Sequence, residues 1–171
     1  ILLNGPSALI LDKEKDYDDL VQFDSVDSLS GDGVDVCMVD SGIDMTHTDL
    51  SDLDLADWSD FIGSKSSPYD DNGHGTMMAG ILVADGALTG LATDVNLYVA
   101  KALSGSGEGN DDTVAEAIDW CISKNVNIIS LSLGGNASGF SIILGDIHPH
   151  ILVLPFVILC FSFIFFLFKN Q

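Results

Sequence analysis

Two residues of this chain have the side chains and the surroundings that nucleophilic catalysis requires. Asp40 ends a short apolar run, and His74 lies between two glycines. If the fold brings them together, Asp40 can accept a hydrogen bond from one ring nitrogen of His74. The other nitrogen is then free to take a proton from a nucleophile. Taken singly, each residue also fits an ordinary turn, since Asp precedes Ser-Gly and His lies in Gly-His-Gly.

Short β-rich runs supply the strands that could position this pair. Residues 34–39, 97–100 and 126–133 predict buried strands, and 50–58 alternates Asp with apolar residues, which predicts a half-exposed strand. Strands that alternate with helices pair in parallel. Functional groups of such sheets collect at the edge where the strands end, where Asp40 is predicted to lie.

Two helices are predicted between these strands. A helix that begins near His74 and packs tightly through Ala79 and Gly80 fits the small and apolar residues of 74–83. The clearest helix spans 111–124, and Asn110 or Asp111 can cap it. Its apolar residues recur every three or four positions, at Val114, Ala117, Ile118, Cys121 and Ile122.

The composition excludes several classes of function. Lys and Arg number 6 against 26 Asp and Glu, a net charge of −20, so no basic face can bind nucleic acid. The hydrophobic fraction of 47% is too high for an acidic disordered tail. With so many carboxylates, the chain suits concentrated salt, because the screening length is only about 3 Å at roughly 1 M. An ordinary acidic secreted protein is the alternative.

The cysteines predict neither a disulfide framework nor a metal centre. Cys37, Cys121 and Cys160 are too few for such a framework, and each lies among apolar residues, so all three are interpreted as small buried hydrophobes. No four-ligand metal spacing occurs. The short run His148-Pro149-His150 is interpreted as a loop.

The C-terminal segment differs in character from the rest of the chain. The last acidic residue is Asp146, and residues 151–168 carry no charge. Eighteen apolar residues are about the minimum that crosses the hydrocarbon core of a bilayer. The segment is therefore either a membrane anchor or a stretch foreign to the domain, such as an artefact of the gene model.

Four segments, in order along 33–137, resemble motifs of the subtilisin-like serine proteases (subtilases). They are Val-Cys-Met-Val-Asp-Ser-Gly-Ile-Asp at 36–44, Asp-Asn-Gly-His-Gly-Thr-Met-Met-Ala-Gly-Ile at 71–81, Leu-Tyr-Val-Ala-Lys-Ala-Leu at 97–103 and Ile-Ile-Ser-Leu-Ser-Leu-Gly-Gly at 128–135. Their order and number make the resemblance specific.

This resemblance implies a fold, an activity and a set of site residues. The fold would be α/β, a three-layer parallel sheet with helices on both faces, truncated. Asp40 would be the triad Asp and His74 the general base of an endopeptidase that cleaves polypeptides. Ser132, Leu133 and Gly134 would bind the substrate backbone, with Gly105 on its other side. The enzyme would need no cofactor for catalysis, and a structural calcium ion would bind at Asp49. It would be extracellular, or membrane-associated through its apolar tail.

The chain also departs from the pattern of this family. Only 97 residues follow His74, no Gly-Thr-Ser occurs among them, and the nucleophilic Ser and the oxyanion Asn are both lacking. Without a nucleophile no acyl-enzyme forms, so this chain alone is expected to be inactive. Met77-Met78 replaces the more usual His-Val, and the loop from His74 to Gly90 is short for the calcium site.

The expected organisation is an N-terminal segment (1–32), a partial subtilase catalytic domain (33–140) and a hydrophobic tail (141–171). The leading hypothesis is a subtilisin-type endopeptidase with an incomplete chain. The alternative is a catalytically inactive, tail-anchored module that binds peptides and associates with a membrane through 151–168. A third hypothesis is a subunit whose partner chain supplies the Ser.

Overall fold

The described part of the chain is built around one parallel sheet. This computed structural model describes residues 30–134 and the strand at 152–155, which belong to one compact unit. In chain order the elements are β1 (Asp35–Asp40), β2 (Asp57–Asp60), α1 (His74–Val83), β3 (Asn96–Lys101), α2 (Asp111–Ser123), β4 (Ile128–Leu131) and β5 (Leu152–Pro155). The strand order is β2-β3-β1-β4-β5, and all four described pairings are parallel. The predicted α/β class with a parallel sheet is confirmed.

Strand β1 is the centre of the sheet and is buried on both faces. On one face, Cys37 and Val39 belong to a core cluster that includes the inner side of α2. Their neighbours Val36 and Met38 are also buried, and they point to the opposite face because side chains alternate along a strand. Helix α1 contacts β1 outside the α2 cluster. The sheet is therefore the middle of three layers.

Helix α2 packs on β1 and β3 through the apolar stripe that its sequence predicts. The Asn110 side chain caps the helix by accepting a hydrogen bond from the Thr113 N–H at 2.8 Å. Ile122 is only half-buried, at the margin of the core cluster. The fully covered part of the stripe comprises Val114, Ala117, Ile118 and Cys121.

Cys37 of β1 and Cys121 of α2 form a disulfide bond. The interpretation of these two residues as unpaired hydrophobes is therefore wrong, although both are fully buried as predicted. Cys37 lies on the face of β1 that α2 covers, and the two Cα atoms are 5.8 Å apart, within the span of a disulfide. Cys160 lies outside the described residues.

Strand β2 is shorter than the alternating pattern of 50–58 predicts. Only Asp57–Asp60 is extended and paired, with β3 from Tyr98 to Lys101. Ala56 still donates its N–H to the Leu97 carbonyl of β3 at 2.9 Å. Earlier in this segment, turn hydrogen bonds such as Leu53 N–H to the Leu50 carbonyl replace the ladder. The alternation indicates exposure correctly, but the neighbouring strand decides where pairing begins.

Residues 152–155 form β5, which pairs with β4 from Ile128 opposite Leu152 to Leu131 opposite Pro155. The beginning of the apolar run 151–168 is thus a strand of the sheet, and a membrane helix over that range is not supported. Across 30–134 and 152–155, no helix has the length and apolar character to span a bilayer. Residues 1–29, 135–151 and 156–171 lie outside the described part of the chain, and the run His148-Pro149-His150 is among them.

Candidate active site

Asp40 and His74 meet at the edge of the sheet where β1 ends. Asp40 is the last residue of β1, and His74 is the first residue of α1. The His74 Nδ1 atom lies 2.8 Å from the Asp40 Oδ1 atom. Asp40 is fully buried, whereas the His74 side chain is 28% exposed. The structure therefore brings together the two residues that the sequence places at this edge, with the imidazole partly exposed.

The Asp40 carboxylate fixes the orientation and raises the basicity of the His74 imidazole. The hydrogen bond that His74 donates to Asp40 raises the pKa of His74 above its usual 6.5, and partial burial of the ring opposes this effect. Because an ionised carboxylate only accepts, Nδ1 is the donor and the Nε2 lone pair is free. Asp40 Oδ1 also accepts from the Ser41 N–H at 2.6 Å. Asp40 Oδ2 has no hydrogen-bond partner in the described structure.

Asp70 holds the first turn of α1, and thus the backbone of His74. Its carboxylate accepts from the Thr76 hydroxyl at 2.6 Å and from the N–H groups of Asn72, Gly73 and Thr76 at 2.9–3.0 Å. Burial alone would raise the pKa of Asp70, but these hydrogen bonds lower it to about 2. Asp70 therefore stays ionised and satisfies amide groups that the start of a helix leaves free.

Ser41 joins the end of β1 to the start of α1. Its hydroxyl donates to Asp70 Oδ1 at 2.9 Å and accepts from the Gly75 N–H at 2.9 Å. Ser41 is fully buried, so water does not compete for these bonds. The residue that follows Asp40 is therefore bonded directly to the residue that follows His74.

Two glycines allow this close approach of strand and helix. A Cβ atom on Gly75 would lie 2.1 Å from the carbonyl oxygen of Gly42. Gly42 has a φ of 119°, and a Cβ atom there would lie 2.0 Å from the Tyr69 carbonyl oxygen. No side chain fits at either position without a shift of the backbone.

Lys101 is a residue of this region that the sequence reasoning does not single out. It ends β3 opposite Asp40 and is fully buried. Its Nζ atom donates to Asp71 Oδ1 at 2.7 Å, to the Leu103 carbonyl at 2.8 Å and to the Ser41 carbonyl. The sequence does contain a signal for it: the chain has only six basic residues, and one of them directly follows the predicted buried strand at 97–100.

The predicted substrate-binding residues lie on two segments. Residues 132–134 follow β4, beyond its last pairs with β1 and β5 at Leu131. Ser132 is buried, Leu133 is half-buried and Gly134 is exposed. Gly105 is exposed in the loop after β3, and its carbonyl accepts from the Asn72 side chain at 3.1 Å. The Gly105 loop is thus tied to the loop that leads to His74.

Asp49, the predicted calcium ligand, anchors a loop in this structure. Its Oδ1 atom accepts from the Ala87 N–H at 2.7 Å, and its backbone carbonyl accepts from the Asp85 N–H at 3.0 Å. It also lines a polar cavity of about 250 Å³. In the described ranges no group of three or more Asp, Glu, His or Cys could hold a metal ion. Calcium takes 6–8 oxygen ligands, so a calcium ion at Asp49 would need further oxygen ligands and stays a prediction.

Known proteins match this chain over the segment that carries the site. A sequence profile of the Subtilase family (Peptidase S8) matches residues 31–146. Serine protease AprX of Bacillus subtilis (strain 168) is 38% identical over 122 residues, 64% of this chain and 27% of AprX. Subtilisin E of the same strain is 36% identical over 110 residues, 62% of this chain and 28% of that protein.

Solved structures give the same result. The crystal structure of a cold adapted subtilisin-like serine proteinase matches with a TM-score of 0.57 and 28% identity, and the match covers 67% of this chain and 42% of that one. The chain thus spans about a quarter to two-fifths of the length of these relatives. The family profile covers more than half of the residues, Asp40 and His74 included. This chain belongs to the Subtilase family.

Proposed function

We propose that this chain supplies the acid–base pair of a subtilisin-type serine endopeptidase. The observation that carries the proposal is the 2.8 Å contact between Asp40 Oδ1 and His74 Nδ1, which leaves Nε2 free on a side chain that is partly exposed. An imidazole oriented in this way acts as a general base toward a hydroxyl nucleophile. The match to the Subtilase family supports the same reaction class.

The proposed reaction is hydrolysis of a peptide bond in two steps. His74 Nε2 takes the proton of a serine hydroxyl as its oxygen attacks the scissile carbonyl, and Asp40 stabilises the imidazolium that forms. The imidazolium then gives this proton to the leaving amine as the C–N bond breaks. Water, deprotonated by the same nitrogen, attacks the acyl ester, and its proton returns to the serine oxygen. The neutral imidazole is required first, so activity rises with pH through the raised pKa of His74.

The proposed substrate is an extended polypeptide. Residues 132–134 lie beyond the ladders of β4, so in the described structure their backbone is not paired with a strand. The Gly105 loop is held beside the His74 loop. A substrate strand that pairs with such backbone gains affinity from main-chain hydrogen bonds and leaves side-chain preference to pockets.

The nucleophile is not assigned to a residue of this sequence. The sequence contains no Gly-Thr-Ser segment, so we assign the serine and the oxyanion-stabilising amide to polypeptide outside these 171 residues. We also infer that the protein acts outside the cytosol, because the disulfide between Cys37 and Cys121 favours an oxidising compartment. The inactive peptide-binding module is the competing function, and the same experiment distinguishes it.

The test is made on the protein expressed from its complete coding sequence. We expect a fluorophosphonate probe to label a serine and a fluorogenic peptide to be cleaved, and we expect His74→Ala to abolish both. Loss of the triad histidine costs about 10⁶-fold in kcat in subtilisin, a relative of this chain. Retention of a labelled peptide without probe labelling or cleavage would establish the binding module instead.

A further inference from the structure

We propose that Lys101 is a positioning residue whose ammonium group holds the Asp40 and His74 segments at their working distance. The proposal rests on the proposed function only in treating Asp40 and His74 as the acid–base pair. Its test observes the imidazole directly and needs no substrate or nucleophile. The two proposals can therefore fail independently.

The Lys101 ammonium group has a complete set of hydrogen-bond partners. An ammonium group has three donors, and Lys101 Nζ has three acceptors: Asp71 Oδ1, the Leu103 carbonyl and the Ser41 carbonyl. The side chain itself is 0% exposed. A buried charge is tolerated only when it is paired and fully hydrogen-bonded, so this site is built for a cation.

The three acceptors of Lys101 lie on three different segments of the chain. Ser41 follows Asp40, and its N–H donates to the Asp40 carboxylate at 2.6 Å. Asp71 lies three residues before His74, in the loop that Asp70 ties to α1. Leu103 leads into the Gly105 loop that borders the proposed peptide site. One ammonium group thus bonds the three segments that converge at this edge of the sheet.

Apolar packing cannot replace the hydrogen bonds of Lys101. The Tyr69 ring lies beside the cation, with its centroid 4.8 Å from Lys101 Nζ. An apolar side chain could fill this space, but it would leave two carbonyl groups without a donor. The Ser41 and Leu103 backbones would then relax away from each other. Asp40, opposite Lys101 in the β1–β3 register, would move with Ser41.

The primary test is Lys101→Met in the full chain, with His74 titrated by NMR. The charged side chains that act on the imidazole are Asp40 and Asp70, and Lys101 is paired with Asp71 in the loop before His74. Direct removal of a positive charge would raise the pKa of His74. A loosened contact with Asp40 would lower it, because that hydrogen bond is the main cause of the raised value. We expect a fall of about half a pH unit, a threefold loss of proton affinity.

Lys124→Met is the matched control. Lys124 pairs with Asp57 at 2.7 Å, at the opposite edge of the sheet, and it is partly exposed. Its replacement removes the same charge and should leave the His74 titration unchanged. An unchanged or raised pKa of His74 in a folded Lys101→Met protein would overturn the proposal.

A milder variant decides the question if Lys101→Met does not fold. Asp71 is 51% exposed, so Asp71→Asn should fold, and roughly 1 M salt screens its direct field at His74. Under these conditions we expect a smaller fall in the His74 pKa, through weaker anchoring of Lys101. A His74 titration identical to that of the parent protein in the same salt would refute the positioning role.

Discussion

The two ends of the central strand are stabilised by opposite means. From Val36 to Val39, β1 lies between apolar layers and is joined to α2 by the disulfide of Cys37. One residue later, Asp40 and Ser41 are just as fully buried, yet hydrogen bonds and charges hold them. Most of the strand therefore contributes to the apolar core, whereas its carboxyl end is held in position by hydrogen bonds.

This difference shows why the edge needs so many anchors. Apolar packing is non-directional and tolerates small shifts, whereas a proton transfer needs a fixed hydrogen-bond distance. Asp70, Ser41 and Lys101 each bond two or more segments near the pair. Substitutions in the two regions should thus separate effects on catalysis from effects on stability.

The largest expected effect is on kcat, and it should distinguish two adjacent buried residues, Asp40 and Val39. Asp40→Asn should lower kcat about 10⁴-fold with little change in Tm, because an amide at this position favours the wrong imidazole tautomer. Val39→Ala should leave kcat within a few-fold and lower the free energy of unfolding by about 2 kcal/mol. Enzyme assays and thermal unfolding of the complete protein measure both. Similar losses of kcat in the two variants would contradict the separation between the catalytic edge and the apolar core.

The disulfide should provide the next largest effect. Its loop closes over a sequence separation of 84 residues, so Cys37→Ala combined with Cys121→Ala should cost about 4 kcal/mol of unfolding free energy. Urea denaturation with and without reductant measures this loss. The parent protein should respond to reductant and the double variant should not. Equal midpoints for the oxidised and reduced parent would show that the bond does not stabilise the fold.

Two glycines of α1 test the close contact between strand and helix. Gly75→Ala should destabilise the protein by about 3 kcal/mol and lower the pKa of His74, because its Cβ atom would collide with the Gly42 carbonyl. Gly80→Ala in the same helix meets no atom within 4 Å and should be neutral or slightly stabilising. Chemical denaturation and NMR titration give the two readouts. A Gly75→Ala variant as stable as Gly80→Ala would exclude the tight approach.

Asp70 offers a test that depends on pH. Its pKa is lowered to about 2, so its stabilisation is complete above its ordinary value of 3.8 and is lost as the pH falls toward 2. Asp70→Asn should therefore cost about 1–2 kcal/mol at pH 7, allowing for solvent screening at this partly exposed group. The difference from the parent should shrink below pH 4. Denaturation midpoints between pH 2 and 7 measure it, and a constant difference would contradict the assigned pKa.

The smallest effect belongs to the Asn110 cap of α2, the helix that follows the Gly105 loop. Asn110→Ala removes the acceptor of the Thr113 N–H and should cost about 1 kcal/mol. Asn110→Asp keeps an acceptor and should be nearly neutral. Neither variant should move the His74 titration. A change in that titration would mean that the helix layer and the edge are coupled.

Local patterns were sufficient to predict much of this fold. The apolar spacing of α2 indicates which of its residues are buried, because helix periodicity alone decides that. The meeting of Asp40 and His74 follows from a general rule, that parallel strands end at one edge. In both cases the sequence position of a residue determines its environment.

The remaining features depend on contacts between distant segments. Cys37 pairs with Cys121 only because α2 covers one particular face of β1. The extent of β2 depends on where β3 runs beside it. The role of Lys101 depends on three carbonyl or carboxylate groups that the folded chain assembles, and no local pattern records them.

The disulfide also has a consequence for biosynthesis. Cys37 leaves the ribosome 84 residues ahead of Cys121, so this disulfide cannot form until α2 has been made. Nascent chains stalled between these two points would carry a free, reactive thiol on a strand without neighbours. The disulfide therefore forms late in synthesis, after α2 has been made, and it fixes the strand that carries Asp40.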